Sequence, residues 1–294
     1  MRSDLDDDQS TLAIPVSRTR TLDVIVDAVP DLSSVVELIQ SSLGRRTPLL
    51  VTFVNPYSRA IVRRKPEFLD QLNAFDLVLP DGIGMSVAIR WLHQTPAERI
   101  SFDMTSLAPE VMKLAVSGGR GIVLVGGVPG CAEQAAERLM ELFPTLKIVG
   151  SFDGYGAVEE RVAQIAELDP DIVIASMGAG AQEEILLGLV QTGWRGCGFT
   201  SGGFFDQIGK RAHYYPSWVD RFHLRWAYRL AREPRRLWRR YLLMYPPFVA
   251  ALFSASLTGL ILRLGQRAAH PDHRRRHSVM RASESKSVSL QGRT

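Results

Sequence analysis

Apolar runs of strand length alternate along the chain with glycine turns and with amphipathic stretches of helical spacing. "PLLVTFVN" (48–55), "FDLVLPDG" (75–82), "GIVLVGGVPG" (121–130), "LKIVGSFDGYG" (146–156), "DIVIASMGAG" (171–180) and "GCGFTSGG" (196–203) each read as a buried strand running into a turn. "LDVIVDAV" (22–29) alternates weakly and predicts a further strand. "LSSVVELIQSSL" (32–43), which Gly44 is expected to end, "SLAPEVMKLAVSGG" (106–119), "CAEQAAERLMELF" (131–143), "VEERVAQIAELDP" (158–170) and "EEILLGLVQTG" (183–193) have helical spacing. Strand, glycine turn and helix recurring in this order predict an α/β fold: a Rossmann-like, mostly parallel sheet with helices on both faces. In such sheets ligands bind at the carboxyl ends of the strands. The residues just after each strand are then the site candidates: Asn55, Asp81, Gly126 and Gly127, Asp153, Gln182 and Glu183, and Asp206.

The pattern fades at both ends. Residues 1–20 are polar, carry four aspartates within the first eight positions and predict no structure. Residues 21–215 hold the Rossmann-like domain, 216–264 an Arg-rich and then apolar helical appendage, and 265–294 a basic, Ser-rich tail expected to be disordered. The chain has 294 residues, 46% of them hydrophobic, enough for a large core. Its net charge of +4 is unevenly spread, with eight arginines and one acid between Arg221 and Arg240. That asymmetry points to an anionic partner: phosphates, a membrane surface or nucleic acid. The two cysteines, Cys131 and Cys197, lack metal-ligand spacing and fit a reducing compartment. No charged-then-apolar leader opens the sequence, and an unexported protein is expected.

Composition leaves the chemistry open, and the turns narrow it. Asp81 ends a buried strand between a proline and a glycine, before the helical "GIGMSVAIRWL" (82–92). Its carboxylate suits a helix N-cap, a general base or a ligand-binding acid. "GGVPG" (126–130) could cradle a phosphate with backbone N–H groups, or be only a tight turn. It has neither the GxGxxG dinucleotide fingerprint nor a P-loop GK[ST], which argues against a dinucleotide oxidoreductase. "GAGAQEE" (178–184) adds the amide of Gln182, and "SGGFFDQIGKR" (201–211) adds Asp206. Three such turns on one sheet edge favour a phosphorylated ligand.

Arg221, Arg225, Arg229, Arg232, Arg236 and Arg239 recur every three or four residues, so they share a helical face broken at Pro234. A solvated face, a pyrophosphate clamp and a membrane-surface helix all fit. No charge follows from Tyr241 to Leu262. Pro246 and Pro247 interrupt that stretch and leave 15 residues, Phe248 to Leu262, about 22 Å of helix. This is short of a hydrocarbon core of roughly 30 Å. The reading favours a segment that dips into or lies on the cytoplasmic leaflet, over a full span or a core or oligomer helix. An apolar segment beside the arginines has no place in a nucleic-acid binder.

Taken in order, "NP" (55–56), "LPDGIG" (79–84), "ERI" (98–100), "VLVGGVPGCAEQAAERLMELFPTLKIVGSFDGYG" (123–156), "MGAGAQEE" (177–184), "GGFFDQIGKRA" (202–212) and "LRWAYRLAREPRRLWRRY" (224–241) form a long set of motifs. The set resembles the WecG/TagA/CpsF family of bacterial glycosyltransferases, glycosyltransferase family 26, over about residues 48–241. The resemblance implies a Rossmann-like fold. It implies inverting transfer of a sugar from a UDP-sugar to a polyprenyl-diphosphate-linked saccharide, with no metal ion. It makes Asp81 the general base, and Arg99 and Gln182 pocket residues that complete the catalytic set. The C-terminal Arg-rich appendage would cover the site and read the lipid diphosphate at the membrane. Thr52, Asn55, Gly82, Gly126, Gly127, Glu183 and Asp206 are then expected to line the substrate pocket, and Arg229, Arg232 and Arg236 to hold phosphates.

The sequence departs from the family pattern in places. Phe53 stands where T-x-N has its threonine, with Thr52 one residue earlier. "SFD" (101–103) replaces G-x-D and follows the arginine one residue early. "GAGAQEE" lacks the proline and lysine of G-x-P-K-Q-E, and "LRW" replaces L-E-W. Asp81 and Gln182 stay in place, and donor identity stays unassigned. The expected partners are a UDP-sugar, a polyprenyl-diphosphate-linked saccharide and the cytoplasmic face of the inner membrane, reached peripherally or monotopically. A homo-oligomer is admitted and nucleic acid is not. A non-catalytic nucleotide-binding scaffold of a glycan-assembly complex is the alternative, and it would not need Asp81.

Overall fold

The structure, a computed structural model, describes residues 16–209, 219, 221, 224–232 and 234–269. The acidic residues 1–15, positions 210–212 of the "GKRA" motif and the tail 270–294 lie outside the described residues. A hairpin of β1 (Ser17–Thr21) and β2 (Val24–Ala28) comes first, followed by α1 (Leu32–Arg45). Then come β3 (Leu49–Val54), α2 (Pro56–Arg64), α3 (Glu67–Asn73), β4 (Leu77–Pro80), α4 (Ile83–His93) and α5 (Leu107–Gly118). They are followed by β5 (Gly121–Gly126), α6 (Cys131–Leu142), β6 (Lys147–Phe152), α7 (Val158–Glu167), β7 (Ile172–Ser176), α8 (Ala181–Gln191), β8 (Cys197–Thr200) and α9 (Phe204–Ile208). Helices α10 (Arg225–Arg232) and α11 (Pro234–Trp238), a π-helical turn (Arg239–Met244) and α12 (Tyr245–Ala269) end the described chain.

Strands β3 to β8 form one sheet in the order β4-β3-β8-β7-β5-β6, with every pair parallel. All five residues of β7 are buried, as are all but one in β3 and β5. Such strands are covered on both faces, so their sequences are continuous apolar runs. The β6 edge is part-exposed, with Lys147 and Val149 facing out. All candidate turns lie on the carboxyl side of this sheet, as the alternation predicted.

The other edge is closed by side chains. Asp27, fully buried in β2, takes a bidentate pair from Arg18 at 2.8 Å and accepts the backbone N–H of Val78 in β4 at 2.8 Å. Arg18 also donates to the Phe75 and Asp76 carbonyls. Strand β1 therefore begins at Ser17, inside the segment expected to be unstructured; its polar "SRTRT" carries no apolar signal because its hold comes from an ion pair. Helix α1 runs past Gly44, and the turn is made by Arg46 in the left-handed region, whose N–H reaches Ser42 O.

The chain divides into two compact units between Val249 and Ala250. The first holds both sheets and α1 to α11. The second holds α12 from Ala250 to Ala269 among the described residues. Pro246 and Pro247 do not break α12. A π-helical turn, Arg239–Met244, runs directly into α12 just ahead of them, so the backbone stays helical through both prolines.

Candidate active site

The residue following β4 is Asp81, tied by its N–H to Val54 O of β3 at 2.8 Å. Ile100 N–H binds Pro80 O at 3.1 Å and so lays the 99–103 segment against the end of β4. Three side chains then meet in series. Arg99 Nη1 donates to Ser101 Oγ at 2.8 Å, and Ser101 Oγ donates to Asp81 Oδ1 at 2.5 Å. Arg99 Nη1 also lies 3.7 Å from Asp103 Oδ2. Asp103 Oδ2 in turn accepts from Arg225 Nη1 of α10 at 2.7 Å, and Arg225 Nη2 donates to Thr105 Oγ1. Phe102 anchors the segment. Its ring packs against Phe53, Phe199 and Phe204 with centroids 6.3, 5.3 and 5.4 Å away.

Helix α4 needs no side chain from Asp81. Its N-cap is Gly82, at φ +82°, a backbone that suits glycine, and no side-chain cap bond is made. The carboxylate bonds Ser101 instead, at the carboxyl end of the sheet, where folds of this kind bind ligands.

A second network lies around β3, β8 and α8. Glu183, 1% exposed, accepts from Thr52 Oγ1 at 3.0 Å, Gln182 Nε2 at 3.1 Å and Gly180 N–H at 2.6 Å. Thr52 also bonds Thr200 at 2.9 Å. Gln182, 5% exposed, accepts Gly202 N–H on Oε1 at 3.2 Å. Burial pushes the Glu183 carboxyl above its ordinary range, while the three donors and its own backbone N–H pull the other way. Thr52, Gln182 and Glu183 are thus brought together as a brace that fixes two glycine turns.

The glycines of the third turn answer to packing. A Cβ on Gly126 would stand 2.4 Å from Ser176 O, and one on Gly127 would stand 2.6 Å from Cys131. Gly127 N–H binds Ser176 O at 3.0 Å, and Gly154 N–H binds Gly127 O at 2.9 Å. Asp206 in α9 accepts from Cys131 Sγ at 3.8 Å, beside this turn. Asn55 caps α2: its side chain accepts from Tyr57 N–H, and Ser58 Oγ accepts the Asn55 N–H. On α10, Arg232 donates to Tyr228 Oη at 2.9 Å and covers its ring, and Arg229 lies on the same helix, part-buried. Arg236 lies in α11.

Sequence reasoning gave no site role to Ser101, Asp103 or Thr200 and placed Arg225 only on the arginine face; the "SFD" departure marks both Ser101 and Asp103.

Comparison with known proteins follows the same residues. The family model described as "Glycosyl transferase WecG/TagA/CpsF family" matches residues 19–260, well over half of the chain. A Shigella boydii protein named UDP-Gal:alpha-D-GlcNAc-diphosphoundecaprenol beta-1,4-galactosyltransferase is 28% identical over 245 residues, covering 82% of this chain and 99% of its own length. A Bacillus subtilis protein named N-acetylglucosaminyldiphosphoundecaprenol N-acetyl-beta-D-mannosaminyltransferase is 27% identical over 228 residues, 76% of this chain and 88% of its own length.

Proposed function

The chain belongs to the WecG/TagA/CpsF family of glycosyltransferases, and from that membership we propose that it moves a sugar from a UDP-sugar to an N-acetylglucosaminyl diphosphate carried on undecaprenol. The Shigella and Bacillus relatives are named for that acceptor and differ in the sugar they add, which supports the acceptor more narrowly than the donor. The product would enter a surface glycan.

The observation that carries the mechanism is Asp81 at the carboxyl end of β4, held through one oxygen by Ser101. A sugar hydroxyl is a poor nucleophile, and a fixed carboxylate can take its proton as the C–O bond forms. The other Asp81 oxygen, which accepts no hydrogen bond from the described residues, would receive that proton. The bond from the donor sugar to UDP breaks on the opposite side, so a single displacement inverts the anomeric centre. Negative charge then grows on the departing diphosphate. Arg99 has five N–H donors and gives one to Ser101, so others remain to meet that charge. Arg229, Arg232 and Arg236 would take the lipid diphosphate, an arrangement that α10 and α11 support by spacing their arginines along a helix.

The same proposal places the enzyme at the cytoplasmic face of the bacterial inner membrane. Residues Tyr241–Thr258 are long and apolar enough to cross a bilayer by length and composition, and Leu242, Leu243, Phe253 and Leu257 are exposed. Such side chains beside a basic stretch favour a membrane surface.

A transfer assay tests the reaction. Detergent-solubilised protein would be given a panel of UDP-sugars and N-acetylglucosaminyl-diphosphoundecaprenol with chelator present. Transfer from one donor is expected, and Asp81→Asn should lower the rate by roughly 10²–10⁴-fold, the range for losing general-base help. Asp81→Asn with normal turnover per folded molecule would sink the base assignment.

A further inference from the structure

We infer that Ser101 is a positioning residue for the transfer, using its hydroxyl to hold Asp81 in the orientation that receives the acceptor proton. The inference rests on the reading of Asp81 as the base. It starts from the polarity of the Arg99–Ser101–Asp81 series. A guanidinium only donates. Ser101 must therefore accept from Arg99, and its own proton is directed to Asp81 Oδ1. The hydroxyl cannot rotate to another acceptor without giving up one of these bonds.

The backbone under Ser101 is equally fixed. Its N–H donates to Ser106 Oγ at 3.3 Å, and its carbonyl accepts from Asp103 N–H at 3.0 Å and Leu107 N–H at 3.1 Å. Its neighbour Phe102 is locked in the aromatic cluster. The residue as a whole is 5% exposed. Asp103 cannot substitute for it as the main partner of Arg99. Its carboxylate already takes Thr105 N–H and Oγ1 on one oxygen and Arg225 on the other. Arg99 Nη1 accordingly sits at 2.8 Å from Ser101 and 3.7 Å from Asp103.

A carboxylate that must meet a hydroxyl in line with a displacement is sensitive to small rotations; an error of about 1 Å can cost about 10²-fold in rate. Ser101 restrains that rotation through Oδ1 and leaves Oδ2 for the acceptor.

Steady-state transfer by Ser101→Ala, Ser101→Cys and Ser101→Thr, each alone and in an Asp81→Asn background, tests this. Ser101→Ala should lower kcat about tenfold or more, with KM for donor and acceptor within about twofold. Ser101→Cys, close in size but a weak donor, should behave like alanine and guards against a folding defect in that variant. Ser101→Thr keeps the hydroxyl and should recover most of the rate. In the Asp81→Asn background none of the three should cost anything further. Ser101→Ala at wild-type kcat, or an equal loss in both backgrounds, would overturn the positioning role while leaving the base assignment intact. Near-normal transfer by Asp81→Asn alone would instead remove the base assignment on which the role depends.

Discussion

Glu183 is a carboxyl at 1% exposure with three internal donors, and its environment makes a pH prediction. Burial raises its pKa in the folded chain above the ordinary glutamate value, so the folded state holds the proton more tightly than the unfolded state does. The contribution to stability is full below the unfolded pKa and is lost as pH rises through the folded one. Denaturant midpoints should therefore fall with rising pH across that window, and Glu183→Gln should flatten the fall. The variant should also be less stable by roughly 1–3 kcal/mol, because an amide nitrogen would face an N–H or O–H donor that the carboxylate now accepts. A midpoint in Glu183→Gln that tracks wild type at every pH would show that the brace does not titrate. At this scale the sequence was only partly legible. It marks Asp81, Gln182 and Glu183 as polar residues after strands. It hides that Gln182 and Glu183 bond each other and, through Thr52 and Gly202, span positions far apart in sequence. Side-chain bonds across a sheet leave no local period, and the Ser101 contact is hidden for the same reason.

Elements read from the chain more faithfully than side chains did, because a strand buried on both faces must be an apolar run and a covering helix must repeat every three or four residues. Strands β3, β4, β5 and β7 follow that logic, whereas β6 is a part-exposed edge. Strand β1 does not, since its place is held by the Arg18–Asp27 pair, and Pro246 and Pro247 lie within helical backbone where they suggested a break. The glycine turn after β5 shows how one pattern can serve two purposes. Gly126 has φ +138° and a backbone carbonyl where a Cβ would go. Gly126→Ala should cost roughly 2–5 kcal/mol from backbone strain and overpacking together. Gly130→Ala, with open space around it but φ +85°, should cost less, roughly 1–2 kcal/mol. Thermal unfolding of both variants checks the order. A fully stable Gly126→Ala that no longer binds UDP would mean the position is kept for a ligand rather than for packing.

On the scale of the whole molecule, a lipid-borne acceptor forces the question of how the enzyme reaches it. The apolar stretch enters α12, a helix of 25 residues and about 37 Å, so length alone permits a span. Composition permits it as well. The arginines argue for the surface instead. Basic residues near an anionic leaflet contribute about 1 kcal/mol each, and arginines flank the apolar stretch on both sides in sequence, giving no bias for one end to cross. Phe253 and Leu257, 63% and 60% exposed, lie one turn apart on α12 and would enter the acyl region in a helix lying on or dipping into the leaflet. The wild-type chain should float with vesicles containing anionic lipid, and high salt should weaken the association. Phe253→Glu/Leu257→Glu should remain unbound while still transferring sugar to a short, water-soluble analogue of the acceptor. If the wild-type chain resists extraction by both salt and alkali, the helix spans. If the double variant floats as well as wild type, the contact lies elsewhere. Extraction by high salt together with loss of flotation in the variant is the outcome that the basic stretch and the exposed apolar side chains predict.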